Sequence, residues 1–537
     1  MEQKELHSYH LFLFPFQWDF LPAGKVKTDC DFESRSSLRE CEKALQRNPY
    51  WKHNPYVIGE ETSANTDYNE FTFFYDFVRK TIFDYEDPSD KNDRLNYYSY
   101  HTPTNGYYRI NLARGKSFQL EIISVSLHLF NTGVGILNFN LKNTRYSSKE
   151  DILLINEFGR RIYPQFLGKE NGDKGALFTA ATKQAFLADS IQVDYSDGHG
   201  VIEEDFSYFN DVANLRAACF RLPNHIRHLF EGTGFTEVDK KYTNRILVSN
   251  IMDDRMFTMC WYGNDAVSNQ LQTKWDKDDY PYKSNKWWYS FVMCDSNGDW
   301  PTVQNAKLLE DYLDRHTYQR WTNYGTLYGV SKESFMLLTS GKHTLEKNAP
   351  PLDDHLRTMY FQIVVLCLAC RASMLRFSGE VSRLTDLALH HRMSERRFFR
   401  PIEKLYENYI EFLNKIHFRE VTTQVQGIEL YNMLYRHMNL ENQIKDLDSE
   451  LQELHDFVAM RREKQRNDSA QMLNWLAAIF LPMTVVAGFF GANFNDHELQ
   501  GLSQKSGNAF WLLVAISFAS SFLVLILVHI IQYFKKR

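Results

Sequence analysis

MLNWLAAIFLPMTVVAGFF, residues 472–490, contains no charged side chain, and its length decides how the rest of the chain is read. About twenty residues is what a helix needs to cross roughly 30 Å of hydrocarbon. A second such stretch, FWLLVAISFASSFLVLILVHII, fills residues 510–531 with only His529 polar and ionisable. Residues 494–509 between them are too few for a domain, so the pattern predicts a two-span hairpin. Arg461, Arg462, Lys464 and Arg466 precede the first span, and Lys535, Lys536 and Arg537 follow the second. The loop holds Lys505 against Asp496 and Glu498. The excess of basic residues on one side predicts both termini in the cytoplasm.

The remainder of the 537 residues reads as a large cytosolic body. Aromatics make up 15% of the chain, which argues for a packed core and against disorder. A net charge of −6 excludes a nucleic-acid binder held by bulk charge, and no direct nucleic-acid binding is expected. The seven cysteines are scattered and odd in number, as suits reduced thiols. The opening MEQKELHSYHLFLFPFQWDF has a short apolar run interrupted by Pro15 and no small-residue cleavage site, so it is not read as a signal peptide.

Three domains are expected: an α/β region over 1–345, a helical region over 346–466 and a membrane region over 467–537. In the first, SFQLEIISVSLHLF (117–130) and GVGILNFNLKN (133–143) alternate and meet at NTG, which predicts a β-hairpin. The GxG at Gly133 and Gly135 lies between strands and so lacks the dinucleotide-binding context. Residues 149–163 read as a helix, and 244–250 and 255–264 as strands. Residues 286–316 read as a strand, a turn at Asn297-Gly298 and a helix opening after Pro301. In the second region, 352–389 reads as one buried core helix, 394–416 as another, and a third runs unbroken from near 420. Leu430, Met433, His437, Leu440, Ile444, Leu447, Leu451, Leu454 and Val458 form a heptad seam along that third helix, which favours packing against other helices.

Stepping by three and four through the first span gives Asn467, Ala470, Asn474, Ala477, Leu481, Thr484, Gly488 and Gly491. Small and polar residues on one membrane face serve either close helix packing or a water path between subunits. Amides at membrane depth usually face partners or water, which favours the path. Leu481 would then be the hydrophobic constriction. Asn493 would sit at the outer mouth and offer an amide oxygen to a hydrated cation. Asp496 and Glu498 would raise the local cation concentration.

On these residues the chain resembles the CorA family of divalent-cation channels. The resemblance is dense over 467–537, where LNWLAAIFLPMTVVAGFFGANF (473–494) precedes a short acidic loop, a second span and the ending YFKKR. Pro482, Thr484, Gly488, Gly491 and Asn493 match the family pattern, but Ala492 stands where the Gly-Met-Asn signature has Met. Relatives of the ZntB type also vary that residue. The family pore wall would also admit Leu473 beside Asn474. The resemblance implies a homopentamer in the inner membrane, with first spans lining the pore and stalk helices feeding them. It also implies Mg²⁺ or a similar divalent cation as the transported ion, no other cofactor and no enzymatic activity. The expected fold class is therefore an α+β cytosolic domain, long stalk helices and a C-terminal two-helix transmembrane hairpin. The large aromatic N-terminal region is similar to the CorA-like proteins encoded beside type III CRISPR systems. That similarity implies an antiviral channel gated by a nucleotide second messenger, such as an S-adenosylmethionine–AMP conjugate.

Two other classes stay open: a membrane-anchored cytosolic enzyme, and a sensor whose hairpin only anchors and oligomerises it. Arg109, Arg114, Arg160 and Arg161 are candidate phosphate contacts for a nucleotide, set against an ordinary solvated surface. His225 and His228 could share a helix face, but no third metal ligand is apparent and surface histidines are expected. Cys367 and Cys370 read as buried core thiols, and Trp287-Trp288 as core.

Overall fold

The computed structural model describes residues 5–24, 38–58, 64–84, 94–112, 115–163, 187–210, 221–237, 244–252, 254–272, 280–296, 300–341, 352–390 and 395–492, and six positions from 515 to 526. The chain divides into two compact units, Met1–Leu451 and Gln452–Arg537.

The first unit is built on one sheet of fourteen described strands. They are β1 Ser8–Leu21, β2 Trp51–His53, β3 Leu95–Tyr100, β4 Tyr107–Asn111, β5 Ser117–Phe130, β6 Val134–Asn143, β7 Ser190–Asp194, β8 Val201–Asp205, β9 Phe235–Thr236, β10 Arg245–Asn250, β11 Phe257–Gly263, β12 Thr317–Tyr318, β13 Leu327–Val330 and β14 Ser334–Thr339. The main path runs β12-β13-β14-β11-β1-β6-β5-β4-β7-β8. The sheet is mixed: β11 runs parallel to β14 and β9 to β10, and the other described pairs are antiparallel.

The sheet forks at its two longest strands. One edge of β1 pairs with β6 along most of its length, while the other pairs first with β11 (Ser8 to Leu13) and then with β10 (Phe16 to Leu21). Pro15 falls between those two partners, where the missing N–H costs no ladder bond on the forked edge. β5 forks in the same way, with β4 on its first half and β3 on its second. β1 is buried on both faces, as its near-continuous apolar run requires. Its even-numbered residues Phe12, Phe14, Phe16 and Trp18 enter the larger core cluster with Tyr108, Phe139 and Phe230. A second cluster joins Cys260, Tyr262 and Met336 to Trp287, Trp288 and Phe291.

The β5–β6 hairpin forms as expected. Gly133 turns it with φ +77°, and a Cβ there would lie 1.5 Å from Nη1 of Arg376. The expected helix after it spans Lys149–Gly159, capped by the Ser148 hydroxyl, which accepts the Asp151 N–H at 3.2 Å. Its last residue, Gly159, lies against the Phe12 ring, 2.7 Å from where a Cβ would stand, so no side chain fits there.

The expected strand at 286 is instead a helix, Lys286–Met293. Asn285 caps it by accepting the Trp288 N–H at 2.8 Å, and Cys294 ends it with φ +52°. Its aromatics favour strands only weakly, and burial of Trp287, Trp288, Phe291 and Val292 overrides that preference. The helix expected after Pro301 spans Ala306–His316 behind an Asn305 cap. Asn297 and Gly298 lie outside the described residues.

The core helix spans Met359–His390 after a short helix Leu352–Arg357, and it packs on β1 and β6. Leu352–Asp386 is long and apolar enough to cross a membrane, yet 72% of its most apolar window is buried within the fold, as a core helix requires. Cys367 and Cys370 lie in that buried stretch, where burial pushes both thiols up. Glu395–Lys415 forms the next helix. The third helix is broken: Val425–His437 ends, Asn439 takes φ +56°, and Leu440–Ala492 begins. Asn is among the few residues that visit this left-handed conformation readily. Its Oδ1 accepts from Asn442 Nδ2 at 2.8 Å, which opens the following helix.

Candidate functional site

The long helix Leu440–Ala492 changes character along its length. At its start the heptad seam is buried, with Leu447, Leu451, Leu454 and Val458 all below a tenth exposed. From Met472 onward large apolar side chains are bare: Met472, Leu473, Phe480, Leu481 and Val485 are each more than half exposed. In water each would cost about 25 cal/mol per Å² of apolar surface, so such a run marks a lipid or protein-facing segment.

Asn467, Ala470, Asn474, Ala477, Leu481, Thr484 and Gly488 are helical and exposed in the single chain. They share one stripe, which drifts by about 20° per heptad around a straight helix. The Thr484 hydroxyl donates to the Phe480 carbonyl at 2.8 Å, so it stays hydrogen-bonded without water. A Cβ at Gly488 would meet nothing within 4 Å, so the glycine leaves a gap in the helix surface. Gly491 and Ala492 close the helix. Asn493, Asp496 and Glu498 lie outside the described residues, as does the second span apart from the six positions. Of those six, Ile516, Phe518, Phe522 and Ile526 are exposed apolar residues.

Among the described residues, the candidate phosphate-binding arginines Arg160 and Arg161 are buried and Arg109 stands apart on β4. Arg160 is 1% exposed and faces Glu157 at 3.3 Å, Glu333 at 3.4 Å and the Cys294 carbonyl at 3.4 Å. Arg161 is also buried, ion-paired with Glu157 and, at 2.5 Å, with Asp254. The two guanidinium groups are enclosed by carboxylates and present no surface to an anion. The expectation of solvated or phosphate-facing arginines gives way at these positions to an internal ion-pair network, whose charge partners offset the cost of burial. Arg109 stands on β4, donating to Gln119 Oε1 and covering the Tyr107 ring at 5.1 Å. Arg114 lies outside the described residues.

The histidines also depart from expectation. His225 is fully buried between Tyr108 and Phe139, with ring centroids at 5.9 and 6.1 Å. Neither of its ring nitrogens has a hydrogen-bond partner, and burial lowers its pKa to about 3. His228, 6% exposed, meets Asp197 and His199 from the β7–β8 turn. His228 thus gathers with Asp197 and His199 into a set of three metal-type ligands that does not include His225. The sequence separates the two parts by some thirty residues, and only the DGHG turn between two short strands hinted at it.

A helix that buries one seam and then exposes a long apolar stretch striped with small and polar residues belongs to the class of membrane-associated chains. Residues 378–536, which include this helix, match the family described as CorA-like Mg²⁺ transporter protein. The match supports a divalent-cation transporter in general. The fourteen-stranded sheet lies outside the matched segment. No curated protein matches the chain.

Proposed function

We propose that the chain is an inner-membrane divalent-cation channel of CorA type that works as a homopentamer, with both termini in the cytoplasm. Five copies of the helix Leu440–Ala492 would place Asn467, Ala470, Asn474, Ala477, Leu481, Thr484 and Gly488 around one path. The carrying observation is that this stripe is exposed on a helix inside the family-matched segment. Leu481 forms the dry constriction, and the polar steps on either side of it let a hydrated ion approach. At the outer mouth the sequence Gly491-Ala492-Asn493 supplies a ring of amide oxygens, with Asp496 and Glu498 drawing cations toward it. Such neutral oxygens bind Mg²⁺ through its water shell and release it, so Mg²⁺ is the first cation to test. Whether Asn474 or Leu473 takes the inner position is read from which substitution alters flux.

The first unit gates the pore in this reading. A nucleotide second messenger of the S-adenosylmethionine–AMP kind, in type III CRISPR antiviral defence, is proposed on sequence resemblance. Of the four arginines first considered for it, Arg109 stays on the proposed contact surface and Arg160 and Arg161 leave it. The test is uptake of Mg²⁺, Ni²⁺, Co²⁺ and Zn²⁺ into liposomes carrying the purified chain, with and without the nucleotide. Flux abolished by Asn493→Ala supports the pore. An absence of flux under every condition would sink it and favour a membrane-anchored enzyme or sensor. Flux indifferent to nucleotide would remove only the proposed gating ligand.

A further inference from the structure

The turn joining β7 to β8 reads Tyr195-Ser196-Asp197-Gly198-His199-Gly200. Ser196, Gly198 and Gly200 take φ of +58°, +86° and +79°. This winding turns the Asp197 carboxylate inward, where it is 1% exposed, and leaves the His199 ring 60% exposed. The helix Asn224–Leu229 brings His228 to the same place. Its Nε2 lies 2.7 Å from Asp197 Oδ2, and His199 Nδ1 lies 3.3 Å from Asp197 Oδ1. One ligand atom from each of the three residues falls within 4.8 Å of the others.

The surroundings hold these groups as a metal site's outer groups would. Tyr100 donates its hydroxyl to Asp197 Oδ2 at 2.9 Å, and the His199 N–H donates to Oδ1 at 3.1 Å. Tyr50 donates to the Asp197 carbonyl at 2.5 Å, which fixes the turn. Tyr195 stacks on the His228 ring at 5.8 Å and 14°. The far nitrogen of that ring, Nδ1, faces Glu231 Oε2 at 3.3 Å. A ligating histidine commonly gives its second N–H to a carboxylate in this way. Both nitrogens of His228 thus face carboxylate oxygens, while a neutral imidazole has a single N–H. A second positive centre, either a proton or a metal ion, completes the set.

We propose that Asp197, His199 and His228 bind one Zn²⁺-class divalent cation in the first unit, independently of the path on the long helix. Two imidazoles and a carboxylate, with one position left for water, suit Zn²⁺ or Co²⁺ and not Mg²⁺, which prefers an octahedron of oxygens. Bonds of 2.0–2.1 Å in a tetrahedron put ligand atoms about 3.3 Å apart. The His199–Asp197 pair already has that spacing at 3.3 Å, while His228 Nε2 and Asp197 Oδ2, at 2.7 Å, would part by about 0.6 Å to admit the ion. In the metal-bound form His228 would ligate through an unprotonated Nε2 and carry its single N–H on Nδ1, which already faces Glu231 Oε2 at 3.3 Å.

The test uses full-length protein in detergent, stripped with a chelator and titrated with Zn²⁺ in equilibrium dialysis and with Co²⁺ by visible absorption. The expected result is one tight equivalent per chain, weakened by more than about a hundredfold in His199→Ala, since loss of a ligand costs more than the ten- to hundredfold typical of an outer-shell partner. The Co²⁺ spectrum should show a tetrahedral band that His199→Ala removes. His199 is exposed, so that variant keeps the metal-free melting temperature, and His228→Gln serves as the second variant. Wild-type protein that takes up no stoichiometric Zn²⁺, or His199→Ala that titrates like wild type, overturns the site. Neither outcome bears on cation flux, so the pore reading stands or falls separately.

Discussion

Arg376 ties the core helix Met359–His390 to the sheet, and its removal is the sharpest test of how the first unit is held together. Its guanidinium donates to the carbonyls of Trp18 and Gly133 at 2.9 and 2.6 Å and pairs with Asp19 at 2.7 Å and Glu380 at 2.9 Å. Both carboxylate side chains are only 12% exposed, so water replaces the lost cation poorly. Arg376→Met keeps the apolar stem and removes the charge from between them. Breaking a buried pair in this way costs about 3–5 kcal/mol. The turn at Gly133 supplies an internal control. Gly133→Ala meets Nη1 at 1.5 Å and also forces an alanine to φ +77°. The backbone strain alone is worth about 1–2 kcal/mol. Gly133→Ala should therefore cost clearly more in the wild type than in the Arg376→Met background, where only the strain is left. Urea unfolding of the full chain, followed by the summed fluorescence of its tryptophans, of which Trp18, Trp261 and Trp288 are fully buried, would measure all four corners of this cycle. An Arg376→Met loss below about 1 kcal/mol, or strict additivity of the two changes, would refute the clamp.

Other expectations follow from single groups. His225 is held neutral with a pKa lowered to about 3, so the unfolded chain binds its proton first as pH falls below 6.5. Stability is thereby lost toward acid at up to about 1.4 kcal/mol per pH unit, and His225→Phe should flatten that limb in a pH series of unfolding curves. Glu70 behaves oppositely: burial, eased by the Gln362 amide and reinforced by Asp67, raises it to about 7. Its native state holds the extra proton, so stability falls as pH rises from about 4.5 to about 7, and Glu70→Gln should be the more stable protein at pH 8. Asn439→Gly should be tolerated, whereas Asn439→Ala should lose about 1–2 kcal/mol through its left-handed backbone. Leu481→Ala, by widening the proposed constriction, should raise cation leak into liposomes severalfold, and unchanged leak would place the gate elsewhere.

Local rules made some of this legible in the sequence, and long-range packing hid the rest. The β5–β6 hairpin was readable because alternation and a glycine turn act over neighbouring residues. The core helix was readable because its uncharged stretch, residues 359–370, is short and has charges close by, even though Leu352–Asp386 as a whole is long and apolar enough for a span. Lys286–Met293 was misread because aromatic composition suggests a strand, whereas the Asn285 cap and burial on two sides determine a helix. The break at Asn439 carried no proline or glycine to announce it. Arg160, Arg161 and His228 were misjudged for a common reason. Glu157 is a near neighbour of both arginines, but Glu333, Asp254 and Asp197 lie many residues away, and only the fold brings them in to complete the burial. The stripe along the long helix was legible because it is a property of one helix alone.

The matched segment opens at residue 378, two positions beyond Arg376 and inside the helix Met359–His390. The half before that point is buried against β1 and β6, and the half after it leads toward the long helix. The seam between the sheet and the transporter-like part is therefore not a linker. Excising 378–536 would sever a helix and discard its buried half, and replacing the sheet by another domain would mean supplying a new surface for that helix. The sheet-packed region and the matched segment share one helix at their boundary.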